Sequence, residues 1–151
     1  EYYQRIDAMH FCLAHDDGQN LGGINKADVV LVGVSRTSKT PTCMYLANKG
    51  IKAANVPYVP EIEPPKILTD LDGPVIIGLT NTVDRLLELR LNRLYHLNQK
   101  ADSPYVNESS IEKEIKQARI FFNKNRWPVI DVARRSIEET AAKIIMFLSH
   151  N

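Results

Sequence analysis

Short runs of consecutive apolar residues alternate along this chain with stretches in which apolar positions recur every three or four residues. The runs are Ala27-Asp28-Val29-Val30-Leu31-Val32, residues 53–59, Pro74-Val75-Ile76-Ile77-Gly78-Leu79-Thr80 and Pro128-Val129-Ile130-Asp131-Val132. Runs this short and this rich in β-branched residues predict strands covered on both faces, as in a parallel sheet. The helical spacings fall between them. Ile6, Met9 and Leu13 pattern a helix over residues 1–14, and residues 41–49 read as a helix closed by Gly50. Val83, Leu87, Leu91, Leu94 and Leu97 stripe residues 82–97, and Ile111, Ile115, Ala118 and Phe122 stripe the next helix, which Ser109-Ser110-Ile111-Glu112 opens as a capping box. Ser136-Ile137-Glu138-Glu139 caps a last helix whose Ile137, Ala141, Ile144 and Leu148 face inward. Pro60-Glu61-Ile62-Glu63-Pro64-Pro65 can only be a stiff irregular connection, and the polar residues 98–107 form a loop. The order of elements predicts an α/β fold, a mostly parallel sheet with helices on both faces.

Composition narrows the class. With 151 residues, 44% hydrophobic and 25% charged, the chain fits one compact domain with a core. Nineteen basic against eighteen acidic residues leave no global field to attract nucleic acid or an anionic membrane, so any attraction for phosphate has to be local. No apolar stretch approaches the roughly 18 residues that span a bilayer. A soluble, cytoplasmic protein is expected, with neither nucleic acid nor membrane as partner. Cys12 and Cys43 show neither a disulfide framework nor ligand spacing, and His10, His96 and His150 show none with each other, so core-filling thiols are expected and zinc is not. Residue 1 is Glu, in a helical pattern. Residues 1–26 are therefore expected to be a helix and linker leading in from an absent N-terminal domain, and residues 27–151 the working domain.

The candidate chemistry begins where the first strand ends. Gly33-Val34-Ser35-Arg36-Thr37-Ser38-Lys39-Thr40 matches a phosphate-binding loop of the P-loop kinase type in every position but one. Such a loop needs backbone N–H groups curled around phosphate oxygens, a lysine for the terminal phosphates and a hydroxyl for Mg2+, and Gly33, Lys39 and Thr40 supply the fixed points. Pro41 falls in the first turn of the following helix, where no donor is lost. Ser38 stands where a second glycine is usual and has to follow the same backbone path at some conformational cost. Arg36 adds a second cation to the loop.

Three other groups carry candidate chemistry. Arg90 falls inside the apolar stripe of residues 82–97 with Arg93 at its edge, so the two are either a guanidinium clamp for a phosphate or paired, snorkelling surface residues. Asp131 ends a strand, where ligands of open α/β sheets gather; it is a candidate for metal binding or acceptor orientation, or a cap for the turn before Ser136. Arg134 and Arg135 follow it as lesser phosphate candidates. His15-Asp16-Asp17-Gly18 is either a general-base cluster or a helix-ending turn.

Gly33-Val34-Ser35-Arg36-Thr37-Ser38-Lys39-Thr40-Pro41 followed by Ala54-Asn55-Val56-Pro57-Tyr58-Val59-Pro60-Glu61 resembles the regulatory proteins of pyruvate, phosphate dikinase and phosphoenolpyruvate synthase. The resemblance takes in His15-Asp16-Asp17-Gly18, Ile77-Gly78-Leu79-Thr80, Arg90 with Arg93, and the string from Ile130 to Ala141. It implies a bifunctional enzyme that uses ADP to phosphorylate a threonine near the catalytic histidine of its target and removes that phosphate with inorganic phosphate, releasing pyrophosphate. The serine at position 38 belongs to the bacterial form of the family's loop. Carried over, residues 33–40 bind the ADP phosphates, Lys39 neutralises the transferring group, Thr40 holds Mg2+, and Arg90 and Asp131 join Lys39 as catalytic candidates, with Asp16 or Asp17 competing for Asp131's role. The implied partner is the dikinase or the synthase, and a homodimer is left open. Family members carry a further domain ahead of Glu1, on which docking or full activity is expected to depend. A small-molecule kinase and a nucleotide-sensing module without turnover are the rival readings.

Overall fold

The computed structural model describes residues 1–99 and 103–149, which leaves His150 and part of the 98–107 loop outside the described residues. Four strands, β1 (Val29–Gly33), β2 (Ala53–Pro57), β3 (Val75–Thr80) and β4 (Val129–Asp131), form one sheet in the order β2-β1-β3-β4, with every neighbouring pair parallel. The helices are α1 (Tyr2–Ala14), α2 (Lys39–Ala47), the single turn α3 (Lys66–Thr69), α4 (Val83–His96), α5 (Glu108–Lys124) and α6 (Ile137–Ser149). The expected α/β architecture of P-loop kinase type is present, and the described sheet is wholly parallel.

Alternation along β1 sorts the core into two layers. Val29 and Leu31 pack with Ala8 and Cys12 of α1, Cys43 and Leu46 of α2, and Ala141 and Ile144 of α6. Val30 and Val32 face the other way, onto Leu86 of α4, Ile111, Ala118 and Phe122 of α5, and Leu68 of α3. Residues 1–14 thus contribute to the same core as the sheet. The buried face of α1 is Ala8 and Cys12, with Leu13 exposed, so the stripe expected through Ile6, Met9 and Leu13 is rotated. The small residues sit inside because α1 lies close against α2.

Two more expectations need correction. On α4 the buried positions are Leu86, Arg90 and Leu94, while Leu91 and Leu97 are exposed; the buried acceptors available to Arg90 turn that face inward. Helix α5 starts at Glu108, capped by the Asn107 side chain accepting from Ser110 N at 3.0 Å, so Ser109, expected to open the helix, lies inside its first turn. The box at the start of α6 is as expected: Ser136 N donates to Glu139 Oε1 and Glu139 N to Ser136 Oγ. Helix α2 ends in a turn at Gly50, whose φ of +81° is readily reached only by glycine.

Gly78 shows how tightly the second layer is closed. A Cβ there would lie 2.3 Å from the Phe122 ring, which Trp127, Phe121 and Tyr58 confine. Gly78→Ala is expected to destabilise the fold by about 1–3 kcal/mol through overpacking. Urea unfolding checks this: the midpoint falls at unchanged slope.

Candidate functional site

The loop from β1 to α2 is built by two left-handed residues and one close approach. Arg36 (φ 71°) and Ser38 (φ 61°) both lie in the left-handed region, so Ser38 takes the conformation a glycine there would adopt without strain. Gly33 is required for another reason. A Cβ at Gly33 would stand 2.7 Å from the Leu79 carbonyl oxygen and 2.8 Å from Thr37 Oγ1. Thr37, fully buried, donates its hydroxyl to Val34 O at 2.9 Å and ties the loop across its own base. Among the described residues, the backbone N–H groups of Ser35 through Thr40 donate to no protein acceptor. Successive unpaired amides in such a turn form an anion-binding concavity, here continuous with the N-terminus of α2.

Lys39, the first residue of α2, is buried, and its Nζ donates to Val34 O at 2.9 Å. Burial lowers its pKa to about 8, against the attraction of Asp17 and Asp16, which raises it. Thr40 Oγ1 donates to Asp16 Oδ1 at 2.8 Å, and Asn55 Nδ2 donates to the same oxygen at 2.6 Å. Asp16 follows α1 in a short 3₁₀ turn, and β2 supplies Asn55. Among the described residues no three His, Cys, Asp or Glu side chains cluster as a metal site. The hard oxygens of Thr40 and Asp16 nevertheless suit Mg2+, which takes one or two protein oxygens and fills its shell with phosphate and water.

These groups line a cavity of about 930 Å³ that reaches from the loop past Pro57–Glu61 to α4 and α5, where Arg93, Ser110, Lys113 and Gln117 form the far wall. Arg36, Lys39, Arg90, Arg93 and Lys113 give it five cations. Arg90 is engaged by the protein itself. Its guanidinium pairs with Glu114 through both terminal nitrogens, donates to Ser35 O and Tyr105 O at 3.2 Å each, and lies 4.6 Å over the Tyr105 ring. Tyr105 OH in turn meets Ser35 Oγ at 3.0 Å. Arg90 therefore holds the loop, α5 and the segment before α5 together.

The structure brings Ser35 to Thr40 of the octet together with Asp16, Asp17, Arg90 and Arg93 around one cavity, keeps Gly33 and Val34 behind it, and leaves Asp131 outside it. Asp131 ends β4 at the sheet edge, where Oδ1 accepts from Ala133 N at 2.8 Å and caps the turn toward α6. Arg134 and Arg135 are exposed and do not line the cavity either. Cys12 and Cys43 are buried free thiols of the first core layer, where the contact with Cys12 and burial push the Cys43 thiol up and hold it protonated.

The sequence profile described as kinase/pyrophosphorylase matches residues 1–145. The chain belongs to the kinase/pyrophosphorylase family. Relatives named "Putative pyruvate, phosphate dikinase regulatory protein" are 55% identical in Rhodospirillum rubrum, 51% in Caulobacter vibrioides and 51% in Wolbachia pipientis from Culex pipiens. The matches cover 97%, 99% and 99% of this chain and 54%, 47% and 55% of those proteins, so the chain spans about half the length of the curated relatives it matches. No described helix is long and apolar enough to cross a membrane.

Asn55, Glu114 and Tyr105 also line this cavity, although the sequence alone assigns none of them a role. Glu114 left a signal: it stands three residues after Ile111 and four before Ala118, an acid on an apolar stripe, as Arg90 is a base on one. Asn55 left one too, as the lone amide in Ala53-Ala54-Asn55-Val56. Tyr105 left none, because its role depends on a loop whose path only the fold sets.

Proposed function

We propose that this chain carries the nucleotide site of a bifunctional regulatory enzyme. In the forward direction the β-phosphoryl group of ADP passes to a threonine of pyruvate, phosphate dikinase or phosphoenolpyruvate synthase near its catalytic histidine, and AMP leaves. In reverse, inorganic phosphate attacks the phosphothreonine, giving pyrophosphate and the free hydroxyl. The observation that carries this reading is the loop itself: unpaired amides from Ser35 to Thr40, with Lys39 and the Thr40–Asp16 pair at its end. Phosphoryl transfer is chiefly positioning and charge neutralisation, which this constellation supplies. The loop amides hold the diphosphate, Lys39 leaves Val34 O to meet the transferring group, and Arg36 supports it from the rim. Thr40 and Asp16 would hold Mg2+, which neutralises phosphate charge when bound. The relatives' names, which refer to dikinase regulation, support the choice of target.

The test is incubation of the chain with β-labelled ADP and the target in its phosphohistidine form, with label scored on threonine. Transfer supports the reading. ADP binding without transfer, by this chain and equally by the full-length protein, overturns it in favour of a sensing module.

The depressed pKa of Lys39 gives this binding a pH dependence. Below about 8 the ammonium is already charged and binding needs no proton. Above that, phosphate binding has to reprotonate Lys39, so affinity falls by up to about tenfold per pH unit until the pKa of the complex is passed. Calorimetry of ADP binding in metal-free buffers from pH 7 to 9.5 is expected to show this fall with proton uptake; Lys39→Met is expected to abolish both.

A further inference from the structure

We infer that Asn55 is a positioning residue, one that sets the Asp16 carboxylate so that its second oxygen serves a divalent cation beside Thr40. The inference rests on the proposed function and deepens it. Asn55 is 1% exposed, in a strand otherwise made of Ala53, Ala54, Val56 and Pro57. A primary amide buried there is unfavourable unless satisfied, and an apolar residue would serve the layer better. Asn55 instead makes three hydrogen bonds to the turn after α1. Its backbone N donates to His15 O at 3.3 Å, its Oδ1 accepts from Asp17 N at 3.1 Å, and its Nδ2 donates to Asp16 Oδ1 at 2.6 Å.

That turn needs holding. Asp17 has φ 54°, ψ 41°, a left-handed conformation that side-chain-bearing residues adopt at a cost, and Oδ1 of Asn55 grips the amide of that same residue. Asp16 Oδ1 then accepts two hydrogen bonds, from Asn55 and Thr40. Among the described residues Oδ2 has no protein partner, although Asp16 lines the cavity. One oxygen is thus fixed by the protein and the other is left for a ligand. Outer-shell partners of this kind orient a ligating carboxylate, and their loss typically weakens metal affinity by about 10–100-fold.

The experiment measures Mn2+ binding by electron paramagnetic resonance in the presence of ADP, for the wild-type chain, Asn55→Thr, Asn55→Ala, Asp16→Asn and Asp16→Asn/Asn55→Thr. Asn55→Thr keeps a similar volume in a residue that suits a strand and adds no charge beside Asp16, while it loses the amide that reaches Asp16 Oδ1, so it guards against misfolding of Asn55→Ala. Both Asn55 variants are expected to weaken Mn2+ binding about tenfold while ADP affinity without metal changes less than twofold. In the Asp16→Asn background the Asn55 change is expected to add nothing, because it acts through that carboxylate. Unchanged Mn2+ affinity in Asn55→Thr, or an additive double variant, would overturn the inference and leave Asn55 a support of the turn alone. If the wild type binds ADP but no Mn2+ with it, the cation role of Thr40 and Asp16 in the proposed function falls, and this inference with it.

Discussion

Lys39→Ala is expected to reduce the proposed threonine phosphorylation by about 10³-fold or more while leaving the fold intact. The magnitude follows from removing one preorganised charge from a site where transition-state stabilisation is mostly electrostatic. The stability half of the prediction comes from burial. Lys39 is 8% exposed and its pKa is lowered to about 8, so below that pH the folded state bears the desolvation of an ammonium that, among the described residues, has only Val34 O and, more distantly, Thr37 Oγ1 as hydrogen-bond partners. Alanine removes that charge at the first position of α2, so the melting temperature is expected to stay level or rise at pH 7. A loss of activity with a large fall in melting temperature would mean that Lys39 is needed for the loop's shape, contrary to this account. Arginine is not expected to rescue, since its planar fork cannot replace a compact ammonium in a pocket of this size.

The second large effect is on stability. Arg90→Ala is expected to destabilise the domain by about 3–5 kcal/mol, because it strands the Glu114 carboxylate beside α4 with no counter-charge. Glu114 is 8% exposed and Arg90 1%, so water cannot easily replace the lost partner. Thermal unfolding is expected to shift down by roughly 6–20 °C for a domain of this size. The paired replacement Arg90→Met with Glu114→Leu separates two roles of the guanidinium. It removes both charges together and is expected to recover most of the stability, as buried ion pairs exchanged for apolar residues often do. It cannot restore the hydrogen bonds to Ser35 O and Tyr105 O. Nucleotide affinity in the double variant is therefore expected to stay below wild type. Full recovery of affinity would show that the ion pair stabilises the fold without holding the loop.

Much of this molecule was legible before folding was considered. Four buried strands, their order along the chain and the octet between the first strand and α2 follow from local pattern, because strand burial, helix spacing and a phosphate loop each depend on residues close together in sequence. The same holds for the box at Ser136 and the turn at Gly50. What the pattern misplaced depended on partners far away. Arg90 reads as a clamp only while Glu114, 24 positions later, is left out of consideration, and the α4 stripe is rotated for the same reason. Asp131 has the composition of a ligand at a strand end, yet the sheet order puts β4 at the edge, with β1 and β3 between it and β2 with its Asn55. By itself, then, the sequence determined the α/β class and the place of the loop between the first strand and α2, both encoded within short windows. Only the tertiary structure decided which carboxylate meets Thr40, since that meeting needs the turn after α1, the N-terminus of α2 and the middle of β2 to converge, and no local periodicity records such a convergence.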